Sequence, residues 1–320
     1  MRLCYPPCTL QSARLRLPSD IGRALDDLLT RAFAEEGEDV TSLAVFGPRA
    51  RVSAAMVCRE EAVIAGLVLV PRIFAFPSPH ATAELLLEDG TLVSPGTVLA
   101  RVEGPAITVL AAERIALNIV QRLSGIATLT GRYAAALEGT SCRLLDTRKT
   151  TPGLRVFERY AVRCGGGLNH RFGLAHAFLV KDNHSDGAGS VWEATRRAAD
   201  FRELNPRLSR HLLEVEARTL DEVHQALDAG AERILLDNMA VAEMKKAVRD
   251  VRLFEEATGR AVEVEASGGM TPEKARASAR AGADYVSAGA LTHSARAIDI
   301  ALDVQMALEK TKAKPRRPAR

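Results

Sequence analysis

The period of the apolar positions changes several times along the chain. Residues 20–33, DIGRALDDLLTRAF, space their apolar side chains three and four apart, which predicts an amphipathic helix. Short β-like pieces broken by glycine and proline come next. In LLLEDGTLVSPGTVLARVEG (85–104), two strands flank turns at Asp89-Gly90 and Pro95-Gly96. Residues 111–138 predict a long helix with a break at Gly125, because glycine costs about 1 kcal/mol relative to alanine in a helix interior. The most apolar window, AVIAGLVLVPRIFAF (62–76), is too short for a membrane span and contains Arg72, so it reads as buried core.

From about residue 141 the rhythm becomes strand–helix alternation. CRLLDTRKT, AFLVKDNH, HLLEVEAR, RILLDNM, AVEVEASGG and DYVSAGA read as apolar strands, and TLDEVHQALDAGA and TPEKARASARAGA read as helices between them. Apolar strands alternating with helices predict a parallel sheet covered by helices. Six strands without a Rossmann glycine fingerprint favour a β/α barrel; an open dinucleotide-binding sheet is the alternative.

Composition adds little to this picture, with 47% hydrophobic and 26% charged residues among 320, as in an ordinary globular chain. Charge is uneven. The last eleven residues, KTKAKPRRPAR, carry six basic groups, and removing them from the net +3 leaves the rest at about −3. They read as a solvated tail, and nothing else suggests a nucleic-acid footprint. Cys4, Cys8, Cys58, Cys142 and Cys164 form no zinc-like spacing. Cys4 and Cys8 lie close together, but no second pair completes a metal site, so free thiols in a reducing, cytoplasmic compartment are expected. The first residues lack the apolar core of a signal peptide.

Barrel chemistry gathers at the C-terminal ends of strands. Here those ends supply Arg148 and Lys149, then Lys181, Glu216, Asp237, Ser267 and Ser287. Ser267-Gly268-Gly269 precedes Thr271, a candidate N-cap, and Pro272 at the first helical position. A second small-residue loop, Ala288-Gly289-Ala290, has His293 nearby. Two such loops after the last two strands point to phosphate binding. Between Arg143 and Lys181 eight basic residues face two acids, Asp146 and Glu158, which suits a multiply anionic ligand. Glu216 and Asp237 at neighbouring strand ends suit Mg2+ or ribose hydroxyls, with general-base work as the competing use. The stretch AVRCGGGLNHRFGLAHAFLVKDNH (161–184) reads as a loop feeding a strand and holding part of that ligand.

ERIALNIVQRLSGIATLT, LDTRKTTPGLR, CGGGLNHRFGL, VKDNH, EVEA, LLDNM, ASGG and SAGALTHSA occur in that order. This ordered set resembles the quinolinate phosphoribosyltransferase family, also called nicotinate-nucleotide pyrophosphorylase (carboxylating), over about residues 20–305. The resemblance implies an incomplete, TIM-like β/α barrel with a smaller N-terminal α/β sandwich. The expected layout is an extension at 1–19, the sandwich at 20–120, the barrel at 121–295, a C-terminal helix at 296–309 and the basic tail at 310–320. It also implies transfer of phosphoribose from phosphoribosyl pyrophosphate to quinolinate, with loss of pyrophosphate and CO2, in NAD biosynthesis with Mg2+.

By resemblance, Thr147, Arg148, Lys149, His170, Arg171 and Lys181 bind substrate, and Arg114 enters the site from the other subunit of a homodimer. Lys149, Lys181, Glu216 and Asp237 carry the catalytic roles, with Glu216 and Asp237 also holding ribose and Mg2+. Ser267, Gly268, Gly269, Ala288, Gly289, Ala290 and His293 take phosphate. The chain departs from the family at GEDVTS (37–42), at Arg159 where lysine is common, and at His176 where aspartate is common. A related phosphoribosyltransferase-like protein of molybdenum-transport type and a Schiff-base aldolase using Lys149 or Lys181 are the alternatives.

Overall fold

The structure is a computed structural model that describes residues 21–306. The expected 1–19 extension with Cys4 and Cys8, the end of the expected C-terminal helix and the basic tail lie outside the described residues. The described chain divides into two compact units, residues 21–124 with 297–306, and residues 125–296. The division thus falls at 124/125, where the sequence predicts 120/121.

Elements are numbered in chain order. The first unit holds helices α1 (Ile21–Glu36), α2 (Val40–Val45) and α3 (Val70–Ala75). Its strands are β1 (Arg51–Cys58), β2 (Ala62–Val63), β3 (Thr82–Leu85), β4 (Leu92–Val93), β5 (Val98–Pro105) and the returning β12 (Ile300–Met306). The main sheet is antiparallel in the order β12-β1-β5-β3. Helix α1 buries Ile21, Leu25 and Leu29, one per turn. Ile64, Leu67, Ile73 and Phe74 from the apolar window at 62–76 are fully buried, each contributing roughly 1.5–3 kcal/mol by leaving water. Arg72 instead stays at the surface and grips Asp26 through two hydrogen bonds of 2.8 and 3.1 Å.

The helix expected at 296–309 is not what forms. Ile300–Met306 pairs residue for residue with β1, from Val52↔Met306 to Cys58↔Ile300. The reason lies in the local period: Ile300 and Leu302 are buried while Asp303 and Gln305 are exposed, an alternation of two rather than of 3.6. The break expected at Gly125 is also absent. Helix α4 (Ala106–Ala136) runs unbroken through it. Leu123, Ser124, Gly125, Ile126 and Ala127 are all buried, and packing there outweighs the weak helix propensity of one glycine.

The second unit is built on a parallel sheet of six strands, β6 (Arg143–Leu145), β7 (Phe178–Val180), β8 (Leu213–Ala217), β9 (Arg233–Asp237), β10 (Glu263–Ser267) and β11 (Tyr285–Ser287). Their order is β6-β11-β10-β9-β8-β7. The barrel is therefore incomplete, with β6 and β7 at its two ends. Beside β6, Leu168 supplies a short parallel bridge: its N–H donates to Leu144 O at 2.8 Å, and it accepts from Asp146 N at 3.0 Å. Side chains from β8 and β10, with β9 between them, converge on His170, with ligand atoms within 4.8 Å of one another.

Covering helices include α5 (Arg155–Cys164), α6 (Asp182–Ala188), α7 (Val191–Glu203), α8 (Leu220–Ala229), α9 (Val241–Thr258), α10 (Pro272–Arg280) and the short α11 (Ala290–His293). Thr271 caps α10 by accepting from Lys274 N at 3.2 Å, with Pro272 at the first position, as the sequence predicts.

Cys58, Cys142 and Cys164 are free and buried. Burial and the charge of Asp284 push the Cys142 thiol up to about 12, so it stays protonated and inert. Among the described residues, no helix is long and apolar enough to cross a membrane.

Candidate active site

Register places the candidate side chains at one edge of the parallel sheet. Ser267 pairs with Asp237, Ser287 pairs with Leu145 just before the Thr147–Lys149 loop, and Val180 pairs with Val215 just before Lys181 and Glu216. All these positions end strands that run the same way, so their chemistry collects at the C-terminal rim.

The loop after β6 is tied down by its backbone, which frees its cations. Thr147 Oγ1 accepts from Lys149 N at 3.1 Å, and Lys149 O accepts from the buried Thr292 Oγ1 at 2.8 Å. Arg148 O accepts from Arg155 Nη2 at 3.3 Å. The Arg148 guanidinium and the Lys149 ammonium form no hydrogen bond or ion pair among the described residues. Helix α5 braces the loop from below: Glu158 accepts from Thr151, while Arg155 donates to Thr150 Oγ1 at 3.0 Å and to Phe172 O at 3.1 Å.

A second brace joins this loop to the 169–171 segment. Asp146, fully buried, is paired with Arg159 at 3.2 Å and accepts from Asn169 Nδ2 and His170 N, both at 2.7 Å. Burial pushes the Asp146 carboxyl up, against the pull of Arg159 and the other donors. Arg159 also donates to His170 O. The lysine-to-arginine departure at 159 therefore supplies a fork that bonds two partners at once.

His170 points into the barrel rather than out of the rim. Its side chain is 9% exposed, with Nε2 at 3.1 Å from Glu214 Oε2 and 3.4 Å from Glu265 Oε2. Burial opposes a further proton here, but Glu214 and Glu265 outweigh it, so the proton that His170 shares with these acids is lost only at about 10. Burial and the charge of Glu265 likewise raise Glu214. The cluster therefore holds one proton beyond the imidazole's own at neutral pH. Its place is set by Arg171, whose N–H donates to His170 Nδ1 at 2.7 Å. With Nδ1 accepting, the ring hydrogen sits on Nε2 and the additional proton belongs to the carboxylates.

The Arg171 guanidinium donates through Nη1 to Ala177 O at 2.9 Å, while its buried Nε has no hydrogen-bond partner. Burial, and then the neighbouring positive charge of Arg148, hold Arg171 below the ordinary arginine range. Two guanidiniums close enough to repel, one of them unpaired, form a ready carboxylate site. Lys181 Nζ pairs with Glu216 Oε2 at 3.2 Å. The Asp237 carboxylate makes no hydrogen bond or ion pair among the described residues.

Both small-residue loops are present. Gly268 has φ +95°, and a Cβ there would lie 2.7 Å from Asn238 N, so its bareness also serves a close turn against β9. Lys274, which no sequence motif marks, adds a cation to this loop by donating to Gly268 O at 3.0 Å and Asn238 Oδ1 at 3.3 Å. In the other loop, Ala288 N donates to Leu145 O at 3.1 Å and is unavailable to a phosphate. Gly289 and Ala290 stand at the start of α11, and a Cβ on Gly289 would lie 2.8 Å from Lys149 Cδ and 3.1 Å from His293 Nε2. Lys149 and His293 thus flank this glycine.

The Gly165-Gly166-Gly167 run serves packing. A Cβ on Gly165 would collide with the Ala127 carbonyl of α4, and one on Gly167 would lie 2.7 Å from Val162 Cγ1. Arg114 lies exposed on α4 in the other unit, and His176 is exposed beside Phe172.

Residues 39–124 match the family model "quinolinate phosphoribosyl transferase, N-terminal domain", and residues 126–303 match the corresponding C-terminal domain. The chain is 40% identical over 290 residues to the nicotinate-nucleotide pyrophosphorylase (carboxylating) of Mycobacterium leprae, covering 88% of this chain and 97% of that one. It is 38% identical over 289 residues to the probable enzyme of the same description from Bacillus subtilis, covering 89% and 95%. Among solved structures, NadC from Streptococcus pyogenes superposes with a TM-score of 0.81 at 34% identity, covering 91% of this chain and 99% of that one.

Proposed function

This chain belongs to the quinolinate phosphoribosyl transferase family, and from that premise we infer how its residues carry out the decarboxylating transfer. Quinolinate and phosphoribosyl pyrophosphate react to give nicotinate mononucleotide, pyrophosphate and CO2. The ring nitrogen's electron pair forms the bond to the anomeric carbon as the carbon–oxygen bond to pyrophosphate breaks. The 2-carboxylate then leaves as CO2, its bonding pair remains on C2 beside the cationic ring nitrogen, and a proton replaces it.

The observation that carries this reading is the group of cations left without anionic partners at the rim. Arg148 and Lys149 are unpaired among the described residues, and Arg171, one residue beyond His170, feels the charge of Arg148. Two carboxylates of quinolinate would satisfy Arg148 and Arg171 as bidentate acceptors. Lys149, beside Gly289 and His293, would hold the phosphoribosyl group's anions together with the Ser267–Gly269 turn. Thr147 orients Lys149 through its backbone contact. Lys181, close to Glu216, adds positive charge near the reacting carbon's anionic neighbours.

Glu216 and Asp237 fit a hydrated Mg2+. They are carboxylates at adjacent strand ends, Asp237 is free of competing partners among the described residues, and a diphosphate substrate can complete the shell. When bound, Mg2+ would offset the charge that develops on departing pyrophosphate. Without it, the same two side chains can accept hydrogen bonds from the ribose hydroxyls. Exposed Arg114 is assigned to the site of a second copy, which makes the working enzyme a homodimer.

The direct test supplies quinolinate, phosphoribosyl pyrophosphate and Mg2+, and measures CO2 and nicotinate mononucleotide together. Equal amounts of both products are expected. Turnover of nicotinate in place of quinolinate would overturn the substrate assignment.

A further inference from the structure

Glu214 and Glu265 have no direct part in the chemistry above, yet both are fully buried inside the barrel. Strand geometry explains their location. Glu214 lies two residues before Glu216 on β8, and Glu265 two residues before Ser267 on β10, so each shares the inward face of a rim residue one layer deeper. A barrel interior is ordinarily filled by branched apolar side chains. Here Glu214 Oε2 and both Glu265 oxygens are buried without a hydrogen bond of good geometry. Buried carboxylates of this kind are expensive, and apolar replacements of similar volume are often neutral or stabilising. Fold stability alone does not account for them.

Their common partner is His170. Nε2 lies between the two acids, within 3.4 Å of each. The ring is turned so that Nδ1 accepts from the Arg171 N–H at 2.7 Å. The backbone of His170 is held independently, its N–H by Asp146 and its carbonyl by Arg159. Both the ring and the main chain at 170–171 are thus fixed, and the Arg171 guanidinium projects from that anchored unit.

We propose that Glu214 and Glu265 are positioning residues for quinolinate binding: they hold His170 as the Nε2–H tautomer, whose Nδ1 fixes the Arg171 backbone and so aims its guanidinium at a substrate carboxylate. This rests on the reading of Arg171 as a quinolinate ligand. The same three side chains, His170, Glu214 and Glu265, also resemble a cation site in spacing. The Arg171 N–H argues against that use, because metal on Nε2 leaves the ring hydrogen on Nδ1, facing another N–H. Glu265 and Glu214 act through His170 and touch neither substrate.

Two measurements test the proposal. In the first, 15N spectra of the full chain labelled at histidine are recorded at neutral pH, with His170 assigned by comparison with His170→Asn. One pyridine-type Nδ1 and one pyrrole-type Nε2 are expected; two pyrrole-type nitrogens would overturn the tautomer and the proposal with it. In the second, Glu265→Gln and Glu265→Met are compared with wild type. KM for quinolinate should rise on the order of tenfold, as expected for a small misplacement of a binding group, while KM for phosphoribosyl pyrophosphate changes little. An unchanged quinolinate KM, or equal rises in both constants, would overturn the positioning role. Absence of quinolinate turnover by wild type would instead defeat the functional reading, and the 15N spectrum remains readable in that case.

Discussion

Glu158 and Thr151 are joined twice: the buried carboxylate accepts from Thr151 N at 3.0 Å and from Thr151 Oγ1 at 2.8 Å. This pair closes the loop that begins at Asp146 and carries Arg148 and Lys149. Glu158→Ala removes both acceptors and leaves a gap under the loop, costing about 1–3 kcal/mol of stability. KM for both substrates should rise because both cations lose their support. Glu158→Gln should behave much closer to wild type, since an amide oxygen can accept from the N–H while its NH2 donates to the hydroxyl. Denaturant melts and steady-state constants for the two variants check this. Equal losses in both would show that charge, rather than the bonding pattern, matters at this position.

Gly289 has ordinary helical backbone angles, so alanine there meets no conformational strain. Its Cβ would nevertheless press on Lys149 Cδ at 2.8 Å and His293 Nε2 at 3.1 Å. Lys149 can swing aside, which keeps the fold intact but moves its ammonium. Gly289→Ala should therefore leave the unfolding midpoint nearly unchanged and reduce kcat/KM by on the order of tenfold or more. A variant with wild-type kinetics would show that Lys149 works from another position.

The barrel's alternation of strand and helix was readable because each apolar strand is short and bounded by a polar end. The rim residues were readable for the same reason. The layer below was not. Glu214-Val215-Glu216 and Glu263-Val264-Glu265 carry a period of two that places alternate acids on one face. Taking only the strand-end acid assumes an apolar interior, and this interior is partly ionic. Asp146 was hidden similarly, since its partners Arg159, Asn169 and His170 are distant in sequence.

Two expectations fail for local reasons. The stretch 161–184 predicts a loop, but its first four residues complete helix α5 and the glycines that follow approach α4 and Val162 closely. Residues 296–309 predict a helix because the partner of the last strand, β1, lies about 250 residues earlier, and only that pairing reveals the alternation at Ile300–Met306.

Stability should depend on pH through the proton shared by His170, Glu214 and Glu265. In the unfolded chain the imidazole loses its proton at 6.5; in the folded chain the two glutamates outweigh burial and the cluster keeps a proton up to about 10. A raised value means that the folded chain binds the proton more tightly than the unfolded chain. The resulting stabilisation is complete below the unfolded value of 6.5 and is lost as pH rises through about 10. The slope between these limits is at most about 1.4 kcal/mol per pH unit. Urea midpoints measured across this window should fall with pH in wild type. The fall should be shallower in Glu265→Gln, where one of the acids that hold the proton is gone. A flat wild-type profile would show that the cluster releases its proton near neutrality.

If Arg114 serves the pocket of a second copy, as proposed, activity in mixed dimers depends on which subunit carries which defect. Arg114→Ala and Lys149→Ala should each abolish activity, the first because a guanidinium on α4 is missing from the other copy's pocket, the second because the rim cation is missing from its own. In a mixed dimer, one pocket receives both defects and the other receives neither. Refolding the two inactive variants together should therefore restore part of the wild-type rate, with mixed dimers quantified by native mass spectrometry. If mixed dimers form in quantity and remain inactive, Arg114 serves the pocket of its own chain or none at all. Recovery that tracks the mixed-dimer fraction would place Arg114 in its neighbour's site.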